Sequence, residues 1–146
     1  MCLDGNDAVN NDEELARVMF SPSMLHGNEV SPSAFNMTHL PNGDETYVSV
    51  NRLKYGPVTK ESVIKIKPRN QGDEVCGYAQ INTGKIRSVK TDKITIDVKP
   101  RPSKYNKSHA GIFYTQDNKL IKGICESIDF LQVTTMLAKI SKYIPF

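Results

Sequence analysis

The sequence predicts a single α+β domain, in which a mostly antiparallel sheet, open or barrel-like, carries a C-terminal helix packed across it. Two patterns support this prediction. From Thr46 onward, short segments of alternating apolar and polar residues are separated by proline, glycine and asparagine turns. Near the end of the chain, apolar residues instead recur at helical spacing. The chain has 146 residues, about the size of one domain.

The N-terminal third contains few regular patterns. Residues 1–12 are rich in asparagine and aspartate without periodicity, which predicts a disordered acidic arm ahead of a domain spanning residues 13–146. The first element of that domain, residues 13–20, fits a short helix or a strand, and the pattern does not separate the two. Two Ser-Pro pairs and the sequence PNGDE at residues 41–45 predict turns before the sheet begins.

Seven segments after residue 45 have the alternation or the apolar content of strands. Val48 and Val50 share one face of the first, and Ile64 and Ile66 are expected to point inward in the second. An Asn-Thr-Gly turn joins the third and fourth, which predicts a hairpin. The sixth is a nearly continuous apolar run, typical of a strand covered on both faces. The segments are residues 46–53, 62–68, 74–81, 85–89, 93–100, 109–116 and 119–124.

The last element is predicted to be a helix that begins after Ser127, a residue type that commonly caps helix N-termini. Asp129 suits its first turn, and Pro145 cannot continue it. Its apolar face is expected to pack on the sheet and contains Phe130, Val133, Leu137, Ile140 and Ile144.

The cysteines and the hydropathy indicate a compartment. Cys2, Cys76 and Cys125 are odd in number and far apart, which favours a reducing interior over a disulfide framework or a zinc knuckle. The N-terminus lacks the basic start and apolar core of a signal peptide. No stretch approaches the roughly 18 apolar residues of a membrane span. We therefore expect a cytoplasmic protein that does not engage a membrane.

The charge is divided unevenly along the chain. Residues 1–50 contain one basic and eight acidic residues, whereas residues 51–146 contain 18 basic and eight acidic ones. A basic face attracts anions, so this division indicates an anionic ligand or an acidic protein partner. The alternative is that the lysines solvate the outer faces of strands.

The common catalytic motifs are missing. There is no GxxxxGK[ST], GxGxxG, GxSxG or HExxH, which makes the common nucleotide hydrolases and zinc peptidases unsuitable assignments. The three histidines, His26, His39 and His109, do not stand at metal-ligand spacing from one another or from a cysteine. Neither a metal nor another cofactor is predicted.

Two residues are candidate catalytic groups if the protein is an enzyme. His109 lies between a polar basic loop and an apolar strand, where an imidazole could act as acid, base or donor, or could tie down the loop. Arg17 is the only basic residue among the first 50. Its guanidinium could clamp a phosphate or carboxylate, or it could pair with Glu13 or Glu14.

The first predicted strand supplies candidate ligand-binding residues. Tyr47, Ser49 and Asn51 lie on the same side of it, and Arg52 follows them. This polar row lines a cleft or faces water, and the sequence favours neither. The basic residues between 51 and 107, with tyrosines among them, also fit a surface that binds single-stranded nucleic acid through phosphate contacts and stacking.

Three stretches, SPSAF, YVSVNRL and KPRPSKYNKSHAGI, resemble a group of small bacterial proteins to which we attach no activity. The resemblance covers most of residues 17–113 and implies a bacterial, intracellular, single-domain protein. The order of Arg17, the Tyr47-x-Ser49 strand and His109 is also similar to NAD-processing transferase folds, although the glutamate signature of those families is missing.

Three hypotheses follow for function. The first is a small binding module, an accessory component of a larger bacterial system, that recognises an anionic ligand or partner. The second is an enzyme that acts on a nucleotide-like substrate, in which Arg17 holds the phosphate and His109 is the acid, base or donor. The third is a nucleic-acid-binding protein that uses the basic sheet face.

Overall fold

The computed structural model describes residues 5–38, 41, 43–68, 70–123 and 125–146. The strands within these residues are β1 Glu14–Ser21, β2 Leu25–His26, β3 Glu29–Val30, β4 Val48–Arg52, β5 Glu74–Asn82, β6 Ile94–Pro100, β7 His109–Gln116, β8 Lys119–Leu120 and β9 Lys142–Pro145. The helices are α1 Lys60–Val63, α2 Thr83–Ser88 and α3 Ile128–Ile140, with 3-10 turns at Pro32–Phe35 and Leu53–Tyr55. None of these helices is long and apolar enough to cross a membrane.

The fold is α+β, as predicted, and the sheet is antiparallel. Its strand order in the described chain is β6-β7-β4-β1-β5-β9, with β8 attached to β7. β2 and β3 form a separate two-stranded ribbon. Because the main sheet has β6 at one end and β9 at the other, it does not close, and the barrel-like alternative is wrong.

Helix α3 covers the sheet through one apolar face. Phe130, Val133 and Leu137 are buried, and the Phe130 ring meets Tyr114 of β7 edge-on with centroids 4.9 Å apart. The Ser127 side chain accepts the N–H of Phe130, which confirms the predicted cap. The helix stops at Ile140, however, and the next residues pair with β5 as strand β9. The expectation that Ile144 continues the helical face is therefore wrong.

Two predicted strands are helices or turns instead. The segment 62–68 follows Thr59, which forms a capping box with Ser62 and starts α1, so that Ile64 and Ile66 are left exposed rather than inward. The predicted hairpin after residue 81 is helix α2, because the Asn82 side chain accepts the N–H of Lys85 and caps it. The undecided segment 13–20 belongs to a strand, β1.

Residues 5–12 are packed against the domain, so the prediction of a disordered arm over residues 1–12 is wrong for the part that the structure describes. Val9 is buried in the core. The Asp7 carboxylate contacts the side chains of Arg52, Lys54 and Tyr55. The composition of residues 1–12 suggested disorder because composition carries no information about contacts with residues more than 40 positions away.

Candidate ligand-binding cleft

The pairing of β4 with β7 brings the central polar residues together. In this ladder Asn51 is opposite His109, and Ser49 is opposite Gly111. Residues directly opposite each other in an antiparallel pair project from the same face of the sheet. The side chains of Ser49, Asn51 and His109 are thus held side by side by two strands whose other residues, such as Val50 and Ala110, are buried.

Arg17 joins them because β1 and β4 pair over a short stretch. The register between these strands ends at Ala16 and Asn51. Just beyond it, Arg17 donates from a terminal guanidinium nitrogen to the Ser49 carbonyl at 3.0 Å and from Nε to the Ala34 carbonyl at 2.8 Å. Only 6% of Arg17 is exposed. Buried hydrogen bonds of this kind hold the guanidinium in one orientation.

These four residues, Arg17, Ser49, Asn51 and His109, line one cleft of about 380 Å³, which we call the His109 cleft. Its volume lies within the range of about 300–1,000 Å³ that is usual for small-molecule sites. The remaining lining residues are Val18, Phe20, Met24, Glu45, Ile66, Lys67, Ser103 and Asn106.

His109 is oriented by its Nδ1 atom, which lies 2.9 Å from the carbonyl oxygen of Arg101. A carbonyl can only accept, so Nδ1 carries the hydrogen. In the neutral ring the other nitrogen, Nε2, is then the acceptor, and in the protonated ring it is a donor. The ring is half-buried, and the Tyr47 ring lies beside it with centroids 5.8 Å apart. His109 therefore ties its loop through one nitrogen, and the other makes no hydrogen bond to any residue that the structure describes.

Asn51 is held from one side only. Its Oδ1 accepts from Asn106 Nδ2 at 3.0 Å and lies 3.1 Å from Ser108 Oγ. Its Nδ2 amide makes no hydrogen bond to any residue that the structure describes, and neither does the hydroxyl of Ser49. Both groups can donate to a molecule in the His109 cleft.

The charges along the cleft are mainly positive. Lys67 is exposed at its wall, and its ammonium group forms no ion pair within the described part of the chain. Arg17 adds a second positive charge from the buried side. Glu45 is the acidic residue of the lining, and its Oε1 accepts the N–H of Thr38 at 2.8 Å. The cleft is therefore lined by two positive charges, from Arg17 and Lys67, and by one negative charge, from Glu45.

Tyr47 supports the cleft without lining it. Its ring packs 5.2 Å from the Phe113 ring, and the Arg101 guanidinium carbon lies 5.5 Å from its centroid. This position is open because Gly111 has no side chain: a Cβ there would lie 2.6 Å from Cδ2 of Tyr47. Tyr47 was predicted as a ligand-binding residue. In the structure it does not line the cleft, and it contacts the cleft residue His109 instead.

Arg52 lies outside the His109 cleft. It is fully buried, and its Nε and one terminal nitrogen each donate to the Glu13 carboxylate at 2.8 Å. Asp7 lies 3.1 Å away on the other side. A guanidinium enclosed in this way has no donor to offer a ligand, so the predicted ligand-binding role does not fit its position.

The acidic partners expected for Arg17 are used elsewhere. Glu13 binds Arg52, and Glu14 accepts from the side chains of Gln80 and Asn82. Burial alone would raise the pKa of Glu13, but hydrogen bonds from Arg52 and from the Asn10 backbone outweigh burial and leave the pKa lower than usual.

Asp7 completes this network at its solvent side. Hydrogen bonds from Lys54 and Tyr55 hold the pKa of its carboxyl far below the ordinary value, with the charge of Arg52 contributing in the same direction. The bond to Asp7 raises the pKa of Lys54 in return. Arg52, Asp7, Glu13 and Lys54 do not line the His109 cleft.

Sequence reasoning did not single out Lys67, Ser103, Asn106 or Glu45 as site residues. Lys67 was expected on the outer face of a strand, and it reaches the cleft because the chain turns after α1. Asn106 stands three residues before His109, in the same loop. That proximity was the available signal, but it did not indicate the bond to Asn51.

The histidines and acidic residues do not form a metal centre within the described residues, where no group of three or more His, Cys, Asp or Glu side chains could hold an ion. His26 is exposed at the end of β2, and His39 lies outside the described residues. In comparisons with protein-family models, curated proteins and solved structures, nothing matched this chain.

Proposed function

We propose that this protein binds a small anionic ligand in the His109 cleft. The observation that carries the proposal is that Arg17, Lys67 and His109 line one cavity together with Ser49 and Asn51. The Ser49 hydroxyl and the Asn51 amide nitrogen bond to no residue that the structure describes. Arg17 and Lys67 supply positive charge, and Ser49 and Asn51 supply uncharged donors, a combination that suits phosphate or carboxylate oxygens.

The rest of the lining suits the uncharged part of such a ligand. Phe20, Met24 and Ile66 contribute apolar surface to the lining. Small-molecule sites commonly combine an apolar wall with a few placed polar groups. The cavity is therefore better matched to an organic anion than to a free inorganic ion.

Calorimetric titration with ribose 5-phosphate tests the proposal. We expect saturable binding that weakens as salt is raised, because part of the attraction is screened. Replacing Lys67 with alanine should weaken binding about tenfold, the usual scale for loss of a charged hydrogen bond. Lys65→Ala is the matched control, since Lys65 is exposed nearby but lies outside the cleft. Absence of binding at millimolar concentrations, or equal effects of the two substitutions, would contradict the proposal.

A second candidate is an enzyme that acts on a nucleotide-like substrate in the same cleft. The observation in its favour is the Nδ1 bond of His109 to the Arg101 carbonyl, which leaves Nε2 as a base directed away from that bond. Arg17 would hold the phosphate, and Ser49 and Asn51 would orient the substrate. Incubation with nucleotides followed by phosphorus NMR tests it: product formation that is lost in His109→Asn supports catalysis, and unchanged nucleotides leave binding as the function.

Nucleic-acid binding is less well supported. Lys99 and Arg101 are exposed on β6 and after it, but the ring they flank, Phe113, is only 5% exposed. Stacking along a strand of nucleic acid needs several accessible rings, and of Tyr55, Tyr78 and Tyr105 only Tyr105 is exposed. Arg52 is buried and cannot contribute to a basic face.

The proposed setting is the cytoplasm of a bacterium, with the protein acting alone or as an accessory component that meets an acidic partner. The two cysteines that the structure describes, Cys76 and Cys125, are free, which suits a reducing compartment. Fractionation of the producing cell tests the localisation.

A further inference from the structure

A second cleft adjoins the His109 cleft. Its volume is about 300 Å³, and the two cavities share three lining residues, Asn51, Ile66 and Asn106. The hydrogen bond between Asn51 and Asn106 lies at the junction. A molecule longer than a simple phosphate could therefore extend from one cleft into the other past the Asn51 amide.

The second cleft differs in chemistry from the first. It is lined by two tyrosines, Tyr55 and Tyr105, with apolar surface from Pro57, Val58 and Val63. The Tyr55 hydroxyl donates to the Asp7 carboxylate, which holds that ring in place. Tyr105 is 91% exposed, and the Lys104 ammonium lies 5.7 Å from its centroid. In the described residues of this cleft no side chain carries a formal charge.

We infer that the ligand is an aromatic anion of the mononucleotide class, with its phosphate in the His109 cleft and its planar ring against Tyr105 in the second cleft. The inference rests on the proposed function and names the ligand class. An exposed tyrosine offers a flat π-surface on which any nucleobase can stack. The Nδ2 of Asn51, which bonds to no residue in the described ranges, stands at the junction, where the sugar that joins ring and phosphate would lie.

Three probes separate the two parts of this ligand: adenosine 5′-monophosphate, ribose 5-phosphate and adenosine. We expect the mononucleotide to bind the full chain more tightly than either fragment. Tyr105→Ala should weaken binding of the mononucleotide at least fivefold, the lower end of base-stacking effects, and leave ribose 5-phosphate unchanged. Tyr105→Phe is the matched control, because it keeps the ring and should retain affinity. At 91% exposure, Tyr105 can be replaced without a folding defect.

The outcomes distinguish the two proposals. If ribose 5-phosphate binds in a Lys67-dependent manner but the mononucleotide binds no tighter, or Tyr105→Ala has no effect on it, the ligand class is wrong and the anion site stands. If neither phosphate binds, both proposals fail. If adenosine binds as tightly as the mononucleotide, the phosphate contributes nothing to the binding free energy, and the inference is also overturned.

Discussion

Asn51 and His109 are directly opposite each other in the β4–β7 ladder, and both line the same cleft. The loop between β6 and β7 is anchored to this pair by three side-chain hydrogen bonds, one of which Ser108 donates from Oγ to Asn51. Asn106 donates to Asn51, and His109 itself binds the carbonyl of Arg101. Strand pairing thus fixes the loop, and the loop closes one side of the His109 cleft.

The two nitrogens of His109 can be tested separately. Asparagine places its amide near the position of Nδ1, so His109→Asn should keep the bond to Arg101. Its free energy of unfolding should lie within about 0.5 kcal/mol of the wild-type value. Glutamine reaches toward the position of Nε2, so His109→Gln should lose that bond and about 1 kcal/mol of stability. Ribose 5-phosphate should bind more weakly to His109→Asn than to His109→Gln. Denaturant unfolding and calorimetry measure both effects, and equal behaviour of the variants would refute the separation of roles.

The buried charge network should be costly to break at one partner, because the other partner is then left buried and incompletely paired. Arg52→Leu removes both hydrogen bonds that the buried Glu13 carboxylate accepts from the guanidinium and leaves it the Lys54 ammonium, 3.6 Å away, as its cation. Breaking such a buried pair typically costs about 3–5 kcal/mol in the free energy of unfolding.

The comparison variant is Arg87→Leu, which removes a partly exposed pair with Asp97 together with hydrogen bonds to Asn11 and to the Val98 carbonyl. It should cost less than Arg52→Leu, because none of these partners is a buried charge. Urea unfolding of the two variants gives the comparison. A loss at Arg52 no larger than at Arg87 would contradict this account.

Stability should fall in acid through the same network. Asp7 and Glu13 both have pKa values below their ordinary 3.8 and 4.5, so the folded state binds protons less readily than the unfolded chain. Their contribution is complete above about pH 5 and is lost as the pH falls through the ordinary values toward the folded ones. The free energy of unfolding between pH 6 and pH 2 measures this loss.

Variants show whether the acid sensitivity comes from these two carboxyls. The double variant Asp7→Asn/Glu13→Gln should start less stable at pH 6 and decline less steeply toward pH 2, because the groups that take up protons are gone. A slope equal to that of the wild type would assign the acid sensitivity to other residues.

Some strands and helices could be predicted from the local sequence pattern, and others could not. Strands β4 and β6 were predicted because alternation of apolar residues is a local signal, seen at Val48 and Val50. The same signal failed at Ile64 and Ile66, which alternate but lie past a capped helical turn and pack against no neighbouring strand. Asn82 illustrates a further ambiguity, since asparagine both starts turns and caps helices.

The sequence predicted some residues of the candidate site but not that they lie together. Arg17, Ser49, Asn51 and His109 were selected by residue type, but their meeting depends on strand pairing between distant segments, such as the Arg17 bond to the carbonyl of Ser49, 32 positions away. The sequence could not tell which arginine lines the cleft. Arg52 is the one enclosed by carboxylates, and Asp7, which encloses it, belongs to a segment whose composition suggested disorder.

Even a methyl side chain at position 111 should destabilise the protein. A Cβ at this position would lie 2.6 Å from Cδ2 of Tyr47 and 3.0 Å from Cε2 of Phe113, so the tyrosine ring must move in Gly111→Ala. We expect a loss of about 1–3 kcal/mol in the free energy of unfolding, as for other overpacked sites. Because Tyr47 also contacts His109, binding of ribose 5-phosphate should weaken.

The clash itself is tested by a double-mutant cycle. If Tyr47 is the group displaced, Gly111→Ala should cost little when it is introduced into Tyr47→Ala, because the ring is already absent. The coupling between the two substitutions would then approach the full cost of Gly111→Ala alone. Additive losses would show that the alanine disturbs the β4–β7 ladder directly, and Tyr47 would no longer explain why glycine is needed opposite Ser49.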